Sequence, residues 1–252
     1  MPLLPQAVCR DRALDILYAD EFLVAIAKPA GLLVHRTALA RTAREFALQR
    51  LRDQLGRTVY PVHRLDRATS GVLLFALSAE VQARLGAAFE AGSVQKRYLA
   101  IVRGWPAECL IDHPLRRLAD DGTARADVPQ SACTALATLA TAEIPVRVDR
   151  YPTARYALVA LSPTTGRRHQ LRRHLRHISH PIIGDTSYGQ GRHNRLFRER
   201  FGSARLLLHA WRLDLAHPIG AAPLSVTAPP PADFAGVAAA LGWPSSHWDE
   251  GA

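Results

Sequence analysis

The stretch His63-Arg64-Leu65-Asp66-Arg67-Ala68-Thr69-Ser70-Gly71 sets a carboxylate between two arginines, just ahead of a Thr-Ser-Gly turn and the apolar run Gly71 to Leu77. Neighbouring cations favour the ionised carboxylate, the form that a nucleophile or a general base needs. On residue types alone, the same pattern also describes a turn closed by a surface Asp–Arg pair, which is common and contributes little. A second concentration lies downstream, where Arg167, Arg168, Arg172, Arg173 and Arg176 alternate with His169, His174, His177 and His180. Four histidines so close raise the question of a metal ion. No cysteine or carboxylate joins them, the spacing fits no standard zinc pattern, and crowded cations oppose a bound one. No metal is expected. Tyr98, inside Lys96-Arg97-Tyr98-Leu99-Ala100-Ile101-Val102, is a phenol in a strand-like run, where a core ring with one satisfied hydroxyl is the ordinary reading.

The charge distribution supplies a partner for such groups. Lys and Arg number 32 against 22 Asp and Glu, a formal net of +10. Between Arg150 and Arg212 stand thirteen arginines and two acids, Asp185 and Glu199, so this segment carries the whole excess. Arginine outnumbers lysine thirty to two throughout, which coding bias explains, but bias does not explain clustering. A concentrated positive patch is the electrostatic footprint of a polyanion.

The elements that must position these residues are partly readable. Leu14 to Tyr18 and Phe22 to Ala27 read as strands around an Asp20-Glu21 turn, before Lys28-Pro29-Ala30-Gly31. Arg41 to Leu55 has helical spacing and stops at Gly56. Val59 to Val62 and Gly71 to Leu77 are extended, so Asp66 falls on the turn between them. Ser78 caps a helix with Val81, Leu85 and Phe89 on one face, followed by a strand over Val94 to Val102. The stretch from Trp105 to Cys133, with Pro106, Pro114, Pro129 and an Asp120-Asp121-Gly122 turn, reads as an excursion without a sustained period. Strands resume at Leu136 to Val148, Tyr156 to Leu161, Leu206 to Leu215 and Leu224 to Val226. Arg172 falls in a helix whose apolar face is Leu171, Leu175 and Ile178, and a last helix surrounds Phe234 to Leu241. Without regular βαβ alternation the expected class is α+β, a mixed, mainly antiparallel sheet with flanking helices. Cys9, Cys109 and Cys133 form neither a disulfide framework nor a metal knuckle. No apolar run is long enough to span a membrane and the first residues lack a secretion signal, so a cytoplasmic protein is expected.

His63-Arg64-Leu65-Asp66-x-x-Thr69-Ser70-Gly71 resembles the signature around the catalytic aspartate of the RluA family of pseudouridine synthases. Further blocks match in the family's order: Lys28-Pro29-Ala30-Gly31 with His35, Lys96 to Val102, Thr165-Gly166-Arg167-Arg168-His169-Gln170-Leu171-Arg172, His180 to Asp185, and Leu208-His209-Ala210. The resemblance spans about Leu14 to Ala228. It implies a single catalytic domain over residues 1–252, with a central RNA-binding cleft and no cofactor. It implies that a flipped-out uridine is cleaved from its ribose and rejoined through carbon 5, the flipping offset by specific pocket contacts. Asp66 would act at the ribose, by attack at C1′ or removal of the C2′ proton. Tyr98 would stack on the base, and Arg172 would pair with Asp66. Arg64 would fill the vacated helix position or contact RNA near the flipped nucleotide, and Arg67, Arg167, Arg168, His169 and Arg173 are further candidate RNA contacts.

The catalytic blocks begin by Leu14, so the N-terminal S4 domain of many family members is not expected here. Arg36 after His35, Val102-Arg103-Gly104-Trp105, Arg150-Tyr151-Pro152-Thr153-x-Arg155-Tyr156 and the doubled arginines around His169 resemble the TruC-type branch, which acts on uridine 65 of tRNA. Ribosomal RNA, alone or together with tRNA, is the alternative substrate. A non-catalytic RNA binder and a base-releasing glycosylase are readings from other classes. The first has no use for a cleft carboxylate, and the second differs in releasing free base. A monomer acting on tRNA is the leading expectation.

Overall fold

The computed structural model describes residues 13–35, 45–118, 123 and 128–249. Arg36, the beginning of the helix expected from Arg41, Cys9 and the Asp120-Asp121-Gly122 turn lie outside them. Among the described residues there are ten strands and five α-helices, and the chain divides into two compact units.

The first unit comprises residues Met1–Val94 and Arg212–Ala228. It holds β1 (Asp15–Ala19), β2 (Leu23–Lys28), α1 (Ala47–Leu55), β3 (Tyr60–Pro61), β4 (Ser70–Ala76) and α2 (Ala79–Glu90). From the C-terminal side come part of β9 (Leu208–Ala216) and β10 (Pro223–Thr227). β2 pairs antiparallel with both β1 and β4, β3 adds to β4, and β10 to β9. All seven residues of β4 are buried, which is why it reads as a continuous apolar run rather than an alternating one. Leu23, Ala25, Val72 and Leu74 pack with Val81 and Leu85 of α2 and with Leu213 and Val226. The Ser78 hydroxyl accepts from the Val81 amide at 3.2 Å, the cap its sequence announces, and Gly56 ends α1 at φ 64°.

The second unit comprises Gln95–Trp211 and Pro229–Ala252. It holds β5 (Gln95–Arg103), β6 (Cys109–Asp112), β7 (Cys133–Ile144), β8 (Ala154–Pro163), α3 (Gln170–His177), α4 (Gly191–Phe201) and α5 (Ala232–Ala240). β8 pairs antiparallel with β5 and β7, and β7 with β6. Its core gathers Leu99, Tyr156, Phe197, Trp211, Phe234 and Trp243. The fold is α+β and mainly antiparallel, as expected.

Three elements differ from the sequence reading. The excursion after Trp105 contains β6, a strand too short to show a period. β7 stops at Ile144 rather than Val148, because Pro145 has no amide to continue the ladder. α4 has no apolar stripe in the sequence, because arginine dominates its eleven residues and only His193 and Phe197 are buried on one face.

Candidate active site

In the first unit Asp66 sits half-buried on the loop between β3 and β4, with Arg64 and Arg67 exposed on either side. The Thr69 amide donates to the Asp66 carbonyl at 3.0 Å and closes a four-residue turn, and Thr69 and Ser70 are each 2% exposed. The loop is locked from below by the Lys-Pro-Ala-Gly block. Gly31, at φ 88°, donates its amide to the Arg67 carbonyl at 2.8 Å, and the Arg67 Nε donates back to the Gly31 carbonyl at 3.0 Å. The Lys28 ammonium, 1% exposed, donates to the carbonyls of Pro29, Leu32 and Arg67 at 2.8, 2.8 and 3.2 Å. Three carbonyls match the three N–H donors of an ammonium, so a charge taken out of water is satisfied in a geometry that fixes the backbone beside Asp66. His63 has a scaffolding role too. Its Nε2 accepts from the Leu74 amide at 3.1 Å, and its ring stacks on Phe89 with centroids 4.8 Å apart.

In the second unit Tyr98 lies half-buried on β5 opposite Leu161 of β8. Two residues earlier, Lys96 donates to the Thr165 carbonyl at 3.3 Å and so ties this strand to the Thr-Gly-Arg-Arg-His-Gln block. Burial lowers the Lys96 pKa. Gln170, 4% exposed, organises that block. Its carbonyl oxygen accepts from the Thr165 hydroxyl at 2.7 Å and the Arg167 amide at 3.0 Å, and its amide donates to Cys133 and Thr134. Arg167 is exposed and reaches the Ser131 carbonyl, whereas the half-buried Arg173 donates to the Arg116 carbonyl. Arg168 is half-buried. His169 adopts φ 55°, a left-handed conformation rare outside glycine, and its Nδ1 lies 3.1 Å from the Tyr188 hydroxyl.

Arg172 does not lie on a solvated face of α3: it is 8% exposed. Its Nε and Nη2 donate to the two carboxylate oxygens of Asp185 at 2.7 and 2.9 Å, a bidentate pair, and its guanidinium lies 5.0 Å from the Tyr188 ring centroid. Asp185 also accepts the amides of Ser187 and Tyr188 at 2.9 Å each. Burial alone would raise the Asp185 pKa; the hydrogen bonds and charge of Arg172 and the two amides outweigh it and hold the carboxyl below its ordinary 3.8. Asp185 and Tyr188 were not singled out as site residues from sequence. One signal was available: Asp185 is one of two acids in an arginine-rich segment, where a carboxylate has every reason to pair. His174, fully buried, donates from Nε2 to the His113 carbonyl and accepts at Nδ1 from the Thr134 hydroxyl, which makes it structural. Among the described residues no group of three or more His, Cys, Asp or Glu is placed to hold a metal ion.

A held carboxylate beside exposed arginines in one unit, and a tyrosine strand joined to a buried guanidinium in the other, are the parts the sequence blocks share with one family. A family model described as RNA pseudouridylate synthase matches residues 22–177. The chain belongs to this family. It is 47% identical over 238 residues to a tRNA pseudouridine synthase C of Vibrio cholerae, covering 92% of this chain and 98% of that one. It is 54% identical over 211 residues to a protein of the same name from Pasteurella multocida, covering 82% and 87%. Among solved structures, human RNA pseudouridylate synthase domain containing 1 superposes with a TM-score of 0.68 at 26% identity, over 91% of this chain and 87% of that one. The RNA pseudouridylate synthase is therefore an isomerase, and the match takes in Asp66, Tyr98 and Arg172.

Proposed function

We propose that the enzyme isomerises uridine 65 of tRNA to pseudouridine by flipping the nucleotide out of its helix and working on it without cofactor or metal. The observation that carries the reading is Asp66 on a turn pinned by Lys28 and Gly31, inside the region matched to the family. The choice of tRNA is supported by relatives about half identical over most of both chains, which bear the name tRNA pseudouridine synthase C. In the reaction the N1–C1′ bond of uridine breaks, the uracil turns, and a C5–C1′ bond forms. The C5 proton leaves and N1 regains one, so atoms balance without a co-reactant. Asp66 acts at the ribose, attacking C1′ or taking the C2′ proton. Tyr98 stacks on the uracil, with its phenol available for the C5 proton. Arg172 holds Asp66 ionised, Arg64 fills the gap the flipped base leaves, and Arg67, Arg167, Arg168, His169 and Arg173 engage the RNA backbone. The enzyme works as a cytoplasmic monomer.

The test is release of the carbon-5 hydrogen from labelled tRNA, together with pseudouridine mapping in cells with and without the gene. Asp66→Asn is expected to lower turnover at least about 10⁴-fold while tRNA binding persists. Turnover near wild type in that variant would overturn the catalytic assignment. Loss of a site in ribosomal RNA alone would reject tRNA as the substrate, and free uracil as product would mean a glycosylase.

A further inference from the structure

Two motifs are not used by the chemistry above: Val102-Arg103-Gly104-Trp105 and Arg150 to Tyr156. In the second unit they meet at one end of the β5–β8 ladder. Register places Arg103 opposite Tyr156, and the Gly104 amide donates to the Arg155 carbonyl at 2.7 Å. Trp105 anchors its indole N–H on the Ala142 carbonyl at 3.2 Å yet remains 41% exposed, and the Arg155 guanidinium lies over its ring at 4.3 Å. Tyr151, 57% exposed, carries Arg150 over its own ring at 4.7 Å. Asp149 binds Arg103, Arg192 and His193 and accepts the Arg147 Nε at its carbonyl, which gathers the turn after β7 against the end of β5. Arg103 and Arg192 pair with Asp149 and Arg155 with Glu143, while Arg147 and Arg150 add positive charge at the same end of the unit.

A singly exposed ring needs no partner, but here each exposed ring is covered by a guanidinium, a pairing that offers a flat cationic surface. Rings interleaved with guanidinium groups fit one partner class well. Arginines take phosphates, and both the ring and the flat guanidinium offer stacking surface to an unpaired base or a ribose. We propose that Trp105, Tyr151, Arg150 and Arg155 form a second RNA-contact surface, separate from the residues that handle the reacting uridine. The inference rests on the enzyme acting on RNA. Its distance from the chemistry is readable within the unit: Tyr98 and Arg103 are five residues apart on β5, about 17 Å at strand rise. A surface at that remove holds a part of a folded RNA other than the target nucleotide, so it sets affinity for the whole substrate and leaves the chemical step alone.

Two measurements test this on the full-length enzyme and an unmodified tRNA transcript. The double variant Arg150→Ala, Tyr151→Ala is expected to raise KM about ten-fold, to keep kcat at saturating tRNA, and to make the dependence of log Kd on log salt shallower by about one. Tyr151→Phe, which keeps the ring, should behave as wild type. In the unmutated enzyme, acrylamide quenching of fluorescence reports mainly Trp105, because Trp211, Trp243 and Trp248 are 4–6% exposed; tRNA should protect it. Unchanged KM and salt slope, or full quenching in the presence of saturating tRNA, overturn the proposal, including the case in which the face serves an acidic peptide. Turnover with Trp105 unprotected rejects the surface and leaves the function standing. Protection without turnover does the reverse.

Discussion

Arg172 and Asp185 show what a single buried pair contributes. Their side chains are 9% and 1% exposed and meet through two parallel hydrogen bonds. Removing one partner strands the other charge out of water, which costs more than the pair gains by existing. Asp185→Asn is therefore expected to lower unfolding free energy by about 3–5 kcal/mol, read by urea denaturation. A loss below about 1 kcal/mol would mean that the pair behaves as a surface bridge. Because the carboxyl is held below 3.8, its contribution is present above that pH and disappears as pH falls through its folded value. The guanidinium of a proposed active-site residue is thus aimed by a carboxylate from a different sequence block.

That carboxylate depends in turn on the segment that carries it. The turn after Ile183 is laced by Asn194, which accepts the Gly184 amide and donates to the Asp185 carbonyl, at 2.8 and 2.9 Å. Gly184 is at φ +79°, and a Cβ added there would stand 1.7 Å from the Arg205 carbonyl oxygen. Backbone cannot yield as a flexible side chain can. Gly184→Ala should cost more than about 3 kcal/mol and disorder the Asp185 turn, with thermal unfolding as the check; a midpoint within 2 °C of wild type would contradict the packing, on the scale of about 2–4 °C per kcal/mol. At this scale legibility was uneven. β2, β4 and α2 were readable because apolar runs and a Ser cap are local signals. β6 and the end of β7 were not, because a four-residue strand and a proline-limited ladder depend on their pairing partners.

Across the molecule, the histidines make stability depend on pH in opposite directions. In the second unit burial holds His174 and His193 below 6.5, and burial with the charges of His177 and Arg173 does so for His113. His193 accepts from the Tyr156 hydroxyl and donates to Asp149, a neutral arrangement that protonation would break. The unfolded chain takes up protons first as pH falls through 6.5, so this unit loses stability there. In the first unit His217 is raised above 6.5, first by the Ile219 carbonyl and then, against some burial, by Asp20, so its contribution is present below 6.5 and lost as pH rises through its folded value. All four tryptophans lie in the second unit and report it separately. The fluorescence-monitored midpoint is expected to fall by about 3 °C or more between pH 7.5 and 5.5. A flat or rising midpoint would contradict neutral burial of these histidines.

What residue order alone determined was the family: the nine-residue motif around Asp66 and the ordered companion blocks identified it, because such motifs encode turns and strand ends that are local in the chain. It also placed the positive charge in one segment. Tertiary structure decided which groups meet. Lys28 under the Arg67 carbonyl, Asp185 on Arg172, and Trp105 beneath Arg155 join residues 39, 13 and 50 positions apart. Those meetings follow from the register of β2 on β4 and of β5 on β8, and from a turn with no room for a Cβ at Gly184. Register is a property of paired strands, and no single segment contains it. The carboxylate could be read from the sequence; the scaffold that aims its proposed partner could only be seen once the chain was folded.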